Sequence, residues 1–546
     1  MRLPTNDTPG RRPAAAWIAI VFVAFAALYL TTTPSLANQH WDSLEYASVC
    51  ESRGPLSTWG NHPLGQSLQC GVFEVARAAG YRGRALPVLE AGSAVAAAGA
   101  VAALFALLAG VLRLPRVRAL GWTVVVGATH GLWHYAGTAD IYGAALLSLV
   151  IAHTHLLRSV QSPGDEAPWR TSAVLALAAL VHQFNAVLLA VGLAGFATVG
   201  GRRADGSRLW GLAWRSAFLT AAGYLILGAL AMWTLHPTPI VQWIAGYGRD
   251  PLYGHSFGLD AAGPAVHSIG DTFLRDPWSG PGRPWWIAAV AAGTILTLAA
   301  AFVVRRLPED RRRLAIVSAA QCLVGWSLIS WWWPVVSGKW WIQTLPFLIV
   351  WWDGVFEQGQ KAEGRRQRAE GGRQKAEGRG RIAALAPLVA GLALAAFNYQ
   401  FAMRVERQPD TAFEQGVAAW VEHSAPDDLL IENGRLTATL LFWSGRPQTM
   451  NVNRLLQAGR RAGDSLAAVR ARIDTALAQH RRVLFAASLD PYFYTDDRLR
   501  PFGITRQDLI DCFDRYRRAG PLFSYEAWPG APPTMVYQLE PPADGI

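Results

Sequence analysis

Long apolar runs separated by short polar segments dominate the first 402 residues. About 20 apolar residues cross a bilayer as a helix, and shorter runs are stable there only when neighbouring helices bury them or when they re-enter. One segment, 172–200, carries the polar sequence His182-Gln183-Phe184-Asn185 at its centre, so it is either one long tilted helix or two short halves. The predicted spans are 14–33, 86–112, 119–136, 139–157, 172–183, 185–200, 216–235, 285–304, 314–333, 340–356 and 382–402.

Arginine-rich loops predict the orientation of these spans. Lys and Arg are enriched in cytoplasmic loops, and Arg11 and Arg12 therefore place the N-terminus in the cytoplasm. The loops near 113–118, 202–215 and 305–313 must lie on the same side, which requires 172–200 to enter and leave from that side. The pattern predicts a polytopic α-helical protein of the cell (inner) membrane, with about eleven transmembrane helices and the C-terminus outside.

Composition supports a membrane protein. Hydrophobic residues make up 51% and charged residues only 16%, whereas soluble proteins carry about 25% charged residues. The net charge of +11 is spread over many loops without one basic face, which excludes nucleic acid as a partner. Several of the 24 Trp flank apolar runs, as expected for rings at the membrane boundary.

Three kinds of segment lie outside the spans. Residues 34–85 and 236–284 are predicted external loops. Residues 357–381 repeat the unit Gln-Lys/Arg-Ala-Glu-Gly three times without apolar positions, which predicts a disordered, basic cytoplasmic loop attracted to anionic lipid. The chain thus divides into a membrane domain, 1–402, and an external α/β domain, 403–546. In the latter, predicted strands alternate with predicted helices: Leu429–Glu432, Val483–Ala487 and Met535–Leu539, with Ser465–Gln479 and Thr505–Arg517.

Two carboxylates follow the first span directly. Asp42 and Glu45 are three residues apart, so a helix places them on one face. A carboxylate at the membrane surface can take a proton from an acceptor hydroxyl, although a negative charge at a helix N-terminus is the simpler interpretation. Cys50 and Cys70 share the same external loop, where either a disulfide or two free thiols is possible.

These residues occur in a pattern that resembles a known family. Asp42 is followed by Tyr46-Ala47, and later by His62-Pro63-Leu64-Gly65. The order is similar to the first external loop of the GT-C class of membrane glycosyltransferases, in particular the aminoarabinose-transferase and protein O-mannosyltransferase branches. In that family the acidic partner usually adjoins the Asp, whereas here it is displaced to Glu45.

A second element carries the resemblance further. Lys339-Trp340-Trp341 followed by Pro346 is similar to the family's Lys-x-x-Tyr-x-x-Pro element, with Trp in place of the aromatic hydroxyl. The resemblance implies that Lys339 contacts a lipid phosphate. A lysine that extends its ammonium group from the interface toward water is the alternative.

Other candidate residues have weaker patterns. Asp140 lies at a predicted external turn, where the resemblance implies a second acidic residue that orients the acceptor or binds a metal, and where a helix cap is the alternative. His130 and His134 are spaced for shared metal ligation, but satisfied interfacial histidines are more common. His182 is either a phosphate donor or a turn cap. Arg249 either holds a phosphate or pairs with its neighbour Asp250.

Together these features predict a glycosyltransferase that uses a polyprenyl-phosphate-linked sugar donor. An outward-facing site has no access to cytoplasmic nucleotide sugars, and a lipid-linked donor in the same membrane supplies the sugar instead. The resemblance implies Asp42 as general base and Lys339, with Arg249 or His182, at the leaving phosphate. The acceptor, whether glycolipid, polysaccharide or protein, and any divalent metal stay open. The alternatives are a transporter or flippase, disfavoured because the halves show no repeat, and a structural or assembly protein whose C-terminal tail binds cell-wall partners.

Overall fold

The computed structural model of the chain is mainly helical and forms two compact units. It describes residues 11–542 except for several segments of the chain. These are 40, 53–61, 162–167, 200–205, 235–261, 276–282, 333–337, 357–372, 433–435, 443, 447, 453–454, 457–458, 460–462, 488–493 and 527–531.

The first unit is helical throughout its described part. Its helices are α1 (Arg11–Thr31), α2 (Trp41–Ser52, of which residues 41–48 belong to the second unit), α3 (Pro63–Ala78), α4 (Ala85–Ala106), α5 (Arg116–Gly127), α6 (His130–Gly137), α7 (Tyr142–Gln161), α8 (Pro168–Val181), α9 (Gln183–Val199), α10 (Gly206–Thr234), α11 (Ala262–Phe273), α12 (Arg283–Val303), α13 (Glu309–Trp332), a 3₁₀ helix (Gly338–Thr344) that runs into α14 (345–356), and α15 (Arg373–Asn398), which continues through a π-helical turn (Tyr399–Met403) to Arg404–Glu406.

Alanine and glycine allow close helix packing around α4. A Cβ built on Gly143 of α7 would lie 2.8 Å from the carbonyl oxygen of Ser93 in α4, so the backbones of the two helices are nearly in contact. Small residues at such crossings are typical of helices that pack in lipid. Six helices within the described residues are long and apolar enough to cross a membrane. The predicted total of eleven spans stays a prediction.

The third predicted span, 119–136, is not one helix. It is broken at Ala128 and Thr129, between α5 and α6. A break inside a membrane requires partners for the freed backbone groups. Here the Tyr29 hydroxyl donates to the Gly127 carbonyl at 2.8 Å, and the Asn398 amide donates to the Ala128 carbonyl at 2.8 Å. Both donors come from helices far away in sequence, so local periodicity could not reveal the break.

The segment 172–200 contains two helices, α8 and α9, separated by the single residue His182. The Asn185 side chain donates to the carbonyl oxygen of Ala178 at 3.0 Å, which ties the first turn of α9 to the last turn of α8. Of the two alternatives left open by the sequence, the structure therefore shows two helices.

Most of the predicted cytoplasmic loop 357–381 lies outside the described residues, which resume at Arg373. There α15 begins, within the predicted bounds of the loop, and the apolar sequence that follows continues the same helix. Disorder of the loop stays a prediction.

The second unit contains a four-stranded mixed sheet in the order β1-β2-β4-β3. Its described elements are α16 (Thr411–His423), β1 (Leu429–Ile431), α17 (Thr437–Phe442), α18 (Ala467–Ala478), β2 (Val483–Ala486), α19 (Asp496–Leu499), α20 (Arg506–Asp514), β3 (Arg517–Tyr525) and β4 (Thr534–Glu540). The strands β1 and β2 are parallel, while β4 runs antiparallel to both β2 and β3.

Both faces of this sheet are covered. Leu429 and Ile431 point into one apolar cluster, whereas Leu430 and Leu484 point into another that contains Trp420. Strands β1 and β2 are therefore short continuous apolar runs, which explains why the sequence revealed them. Strand β3 was missed and the helix before it was extended too far, because Arg517 and Arg518 are charged and a bulge at Gly520-Pro521 interrupts the strand pattern.

The boundary between the units differs from the predicted one. Ser35–Ser48 groups with Gln408–Ile546 rather than with the helical unit. Leu36, just after the first span, packs against the apolar cluster of Phe413 and Trp420. Apolar residues in a short loop after a membrane helix are easily taken for part of the membrane domain, so the predicted division 1–402 and 403–546 did not separate them.

Candidate active site

One lysine and four aromatic or imidazole rings lie together in the helical unit. They come from five separate elements: Lys339 in the 3₁₀ helix, Tyr135 in α6, Tyr142 at the start of α7, His182 between α8 and α9, and His62 immediately before α3. We call this group the Lys339 cluster. Convergence of chemically able side chains from distant parts of a chain is a mark of a functional site.

The ammonium group of Lys339 lies over two tyrosine rings. Its Nζ is 5.4 Å from the ring centre of Tyr142 and 6.0 Å from that of Tyr135. These distances are within the range of about 6 Å in which a ring face attracts a cation. The two rings are themselves 5.8 Å apart, so both contribute to the surroundings of the same charge.

The two histidines extend the cluster. The His182 ring is 5.6 Å from Tyr142 and 6.0 Å from His62, measured between ring centres. The backbone N–H of Phe184 donates to Nδ1 of His182 at 3.2 Å. Because Nδ1 accepts this hydrogen bond, the ring proton is on Nε2, and His182 presents a neutral imidazole with one N–H donor.

All the charged and polar members are buried. Lys339 is 5% exposed, His62 4% and His182 3%. A buried ammonium group is costly unless its surroundings or a ligand compensate the charge. The electron-rich ring faces supply part of that compensation.

Two amides on α3 lie close to His62 in sequence and are also buried. Gln66 and Gln69 fall on the helical face that His62 begins. Within the described residues neither side-chain amide has a hydrogen-bond partner. Buried amides of this kind can bind the hydroxyl or phosphoryl groups of a ligand. Sequence reasoning missed both, because a glutamine has no distinctive motif.

Close packing of two helices explains why position 65, at the end of the His62-Pro63-Leu64-Gly65 element, is a glycine. A Cβ at Gly65 would lie 2.7 Å from the carbonyl oxygen of Val181, the last residue of α8. Only glycine allows α3 to approach the end of α8 this closely. The approach places His62, three residues earlier, beside His182, the residue after Val181.

Asp140 is buried in the turn before α7. One carboxylate oxygen accepts the backbone N–H of Ile141 at 2.7 Å, and its backbone carbonyl accepts the Ser93 hydroxyl at 2.6 Å. These bonds fix the turn from which Tyr142 enters the Lys339 cluster. A role for Asp140 toward an acceptor or a metal stays a prediction.

The remaining predicted residues are distributed differently. Asp42 and Glu45 lie in the first two turns of α2, in the portion that belongs to the second compact unit. The helical spacing places them on one face, as expected. Their catalytic role stays a prediction. Arg249 lies outside the described residues.

Of the two alternatives left open for Cys50 and Cys70, the structure has the disulfide, which joins α2 to α3 with 4.9 Å between the two Cα atoms. The neighbouring residue Glu51 accepts hydrogen bonds from Arg84 at 2.9 Å and from the backbone N–H of Ala85 at 2.7 Å. The C-terminal end of α2 is therefore tied to both α3 and α4.

A second polar group, which we call the Glu406 cluster, contains the two spaced histidines. His134 Nδ1 lies 2.7 Å from one oxygen of Glu406, and His130 Nε2 lies 3.3 Å from the other. The Arg275 guanidinium is 2.8 Å from the latter oxygen. Sequence reasoning singled out the histidines but missed Glu406, although a carboxylate four residues beyond a predicted span was an available signal.

A third buried charge lies in the same unit. Arg118 in α5 forms an ion pair with Asp353 in α14 at 2.6 Å, and the Trp122 indole donates to the same carboxylate at 2.8 Å. The two charged side chains are only 3% and 7% exposed. This pair links two helices.

Comparisons with known proteins identify the fold. No protein-family model matches the chain, and no curated protein matches it. The fold is similar to that of ArnT from Cupriavidus metallidurans, whose crystal structure contains undecaprenyl phosphate. The TM-score is 0.51 at 11% sequence identity, over 96% of this chain and 98% of that one. At this identity the likeness shows the fold alone. The chain is therefore a multi-pass membrane protein with a fold like that of ArnT, which confirms the predicted resemblance at the level of the fold only.

Proposed function

We propose that this chain is a membrane glycosyltransferase that takes its sugar from a polyprenyl-phosphate-linked donor. The observation that carries the proposal is the buried Lys339, which lies over two tyrosines beside His182 in a fold like that of ArnT. ArnT was crystallised with undecaprenyl phosphate, an anionic lipid of the class that such a cation would bind.

The Lys339 cluster would bind the phosphate of the donor. The ammonium group of Lys339 supplies the positive charge, and the Nε2–H of His182 supplies a directed hydrogen bond. Negative charge on the phosphate grows as the bond to the sugar breaks. Groups that are already in place to stabilise this charge lower the barrier without having to reorganise, and such effects are usually the largest part of catalysis.

Asp42 would act as the general base. It takes the proton from an acceptor hydroxyl while the acceptor oxygen bonds to the anomeric carbon and the bond from that carbon to the phosphate oxygen breaks. A single displacement of this kind inverts the anomeric centre. Glu45 and Asp140 would orient the acceptor, which is a glycolipid, a polysaccharide or a protein. The site would face the outside of the inner membrane.

Transfer by purified protein tests the proposal. The chain, reconstituted in liposomes, is incubated with radiolabelled polyprenyl-phosphate sugars and a panel of the three acceptor classes. We expect labelled product from the wild type and none from Asp42→Asn, because an amide takes up no proton. Asp410→Asn, in the same unit at the start of α16, is the matched control and should transfer normally.

Two outcomes would contradict the proposal. Normal transfer by Asp42→Asn would remove this carboxylate from the mechanism. Movement of the labelled lipid between the leaflets without any labelled product would indicate a flippase instead.

A further inference from the structure

The Glu406 cluster has the composition and geometry of a metal site. One ligand atom from each of His130, His134 and Glu406 can be chosen so that all three lie within 4.8 Å of one another. His130 and Glu406 are buried, and the His134 side chain is 13% exposed. Two histidines and one glutamate are a known ligand set for zinc sites that keep a fourth position open for water or substrate.

The spacing of the ligands explains how they meet. His130 and His134 are one helical turn apart on α6, so both imidazoles leave the same face of the helix, with their ring centres 5.7 Å apart. Glu406 approaches them from the end of the last described membrane helix, through the helical turn Arg404–Glu406. A metal here would connect α6 to the point where the chain leaves the helical unit.

His130 is oriented as a metal ligand. Its Nδ1 donates to the backbone carbonyl oxygen of Asp271 at 2.9 Å, which fixes the plane of the ring. Its Nε2 faces Glu406 at 3.3 Å, and the proton that Nε2 donates to this carboxylate would be released when an ion binds. A histidine that donates its other N–H to a backbone carbonyl is the common arrangement behind a metal ligand.

The distances require only small adjustments. In a tetrahedral zinc site with bonds near 2.0 Å, neighbouring ligand atoms are about 3.3 Å apart. The separation between His130 Nε2 and Glu406 is already 3.3 Å, and that between His134 Nδ1 and Glu406 is 2.7 Å. These contacts are to different oxygens of the carboxylate, so side-chain rotations must bring one oxygen and the two nitrogens, which now lie within 4.8 Å of one another, to this spacing.

The charged neighbours are compatible with an ion. Arg275 contacts Glu406, but its side chain is 37% exposed, so it can turn toward solvent. The Asp271 carboxylate, 3.6 Å from His130 Nδ1, adds negative charge behind the ligand. With a zinc ion bound, the glutamate and this aspartate together balance its two positive charges.

We propose that His130, His134 and Glu406 bind one zinc ion. The ion would also fix the position of α6 beside the Lys339 cluster. His134 packs on Tyr135 with 4.8 Å between ring centres, and Tyr135 is one of the two rings under Lys339. The zinc site is separate from that cluster, and it does not depend on whether the chain transfers sugars.

Direct measurement of bound metal tests the site. Full-length protein in detergent, with any polyhistidine tag removed, is stripped with a chelator, dialysed against Zn²⁺ and analysed for metal. We expect one zinc per chain in the wild type. His134→Gln and Glu406→Gln should each lose affinity by more than about a hundredfold, since even a residue behind a metal ligand is worth 10–100-fold.

The matched control is His267→Gln, which removes an imidazole from α11, the helix that carries Asp271, at a position where the ring packs on Trp286 instead. This variant should bind zinc like the wild type. Cobalt is the second probe, because tetrahedral Co²⁺ gives an intense visible spectrum that His134→Gln should abolish and His267→Gln should keep.

Two results would overturn the proposal. A wild-type chain that stays at background zinc and gives no tetrahedral cobalt spectrum has no such site, even if Glu406→Gln fails to fold. Equal zinc content in the wild type and His134→Gln would place the metal elsewhere. The melting temperature is a third measurement. Zinc bound at this site should raise the melting temperature of the protein, and no change on adding zinc would contradict the site.

Discussion

Lys339 and Arg118 are two cations buried in the same helical unit, but their surroundings differ. Arg118 faces the Asp353 carboxylate at 2.6 Å, and Trp122 donates to the same carboxylate. The contacts described for Lys339 are with the faces of Tyr135 and Tyr142. A carboxylate neutralises a neighbouring charge, whereas a ring face stabilises it only in part.

The proposed function gives these two cations different roles. The Arg118–Asp353 pair joins α5 to α14, and either member alone would be a buried uncompensated charge. Lys339 lies over two ring faces in a cluster of aromatic and imidazole side chains, where we propose that the phosphate of a lipid binds. We therefore expect the loss of Arg118 to affect stability first and the loss of Lys339 to affect activity first.

The largest expected effect is that of Arg118→Met. Loss of the guanidinium leaves Asp353 buried without its partner, and the free energy of unfolding should fall by about 3–5 kcal/mol. Thermal or denaturant unfolding in detergent measures it. The double variant Arg118→Met/Asp353→Leu should recover much of the loss, because both charges are gone. A double variant no more stable than the single one would show that the pair is not the cause.

Lys339→Met should reduce sugar transfer by about 10²–10³-fold, the usual effect of removing one group that stabilises a transition state. Methionine keeps most of the side-chain volume and removes the charge. Transfer from the radiolabelled donor measures the effect. Lys375→Met, in the basic repeat, is the matched control. Unchanged transfer by Lys339→Met would contradict the expectation that Lys339, unlike Arg118, is needed for activity.

The loss of stability caused by Gly65→Ala should be intermediate among these effects. Its Cβ would lie 2.7 Å from the Val181 carbonyl oxygen, so α3 must move away from α8 and take His62 with it. Overpacking of this kind costs about 1–3 kcal/mol. Gly71→Ala, in the same helix with no atom within 4 Å, should instead be neutral or slightly stabilising. Equal melting temperatures for the two variants would contradict the close packing.

The smallest expected effect is that of His182→Phe. Phenylalanine preserves the ring contacts with Tyr142 and His62 but lacks the Nε2–H donor. Loss of one hydrogen bond to a ligand phosphate should weaken donor binding by about tenfold. Binding of a polyprenyl phosphate measures it, with Tyr135→Phe as a control that keeps the ring under Lys339. Wild-type affinity in His182→Phe would contradict a hydrogen bond from His182 to the phosphate.

The sequence predicted those parts of the fold that depend on local patterns. The apolar runs located most membrane helices, continuous apolar runs located β1 and β2, and the strand-like sequence at 535–539 located β4. It failed where distant residues decide the structure. The break between α5 and α6 depends on Tyr29 and Asn398, which are remote from it along the chain.

The same distinction applies to the candidate sites. Lys339, His62 and His182 were found through short motifs and polar residues within apolar sequence, and the structure brings them together. Tyr135, Gln66 and Glu406 were not found, because each gains its significance from a neighbour hundreds of residues away or from burial. A residue type alone carries no such information.

The disulfide between Cys50 and Cys70 closes a covalent ring around residues 50–70. A single peptide-bond cleavage anywhere in that ring would leave the two pieces attached. The nicked protein would migrate as one species on a non-reducing gel and as two after reduction. The helix that follows His62 would thus stay tethered to α2 even after the chain that connects them had been cut.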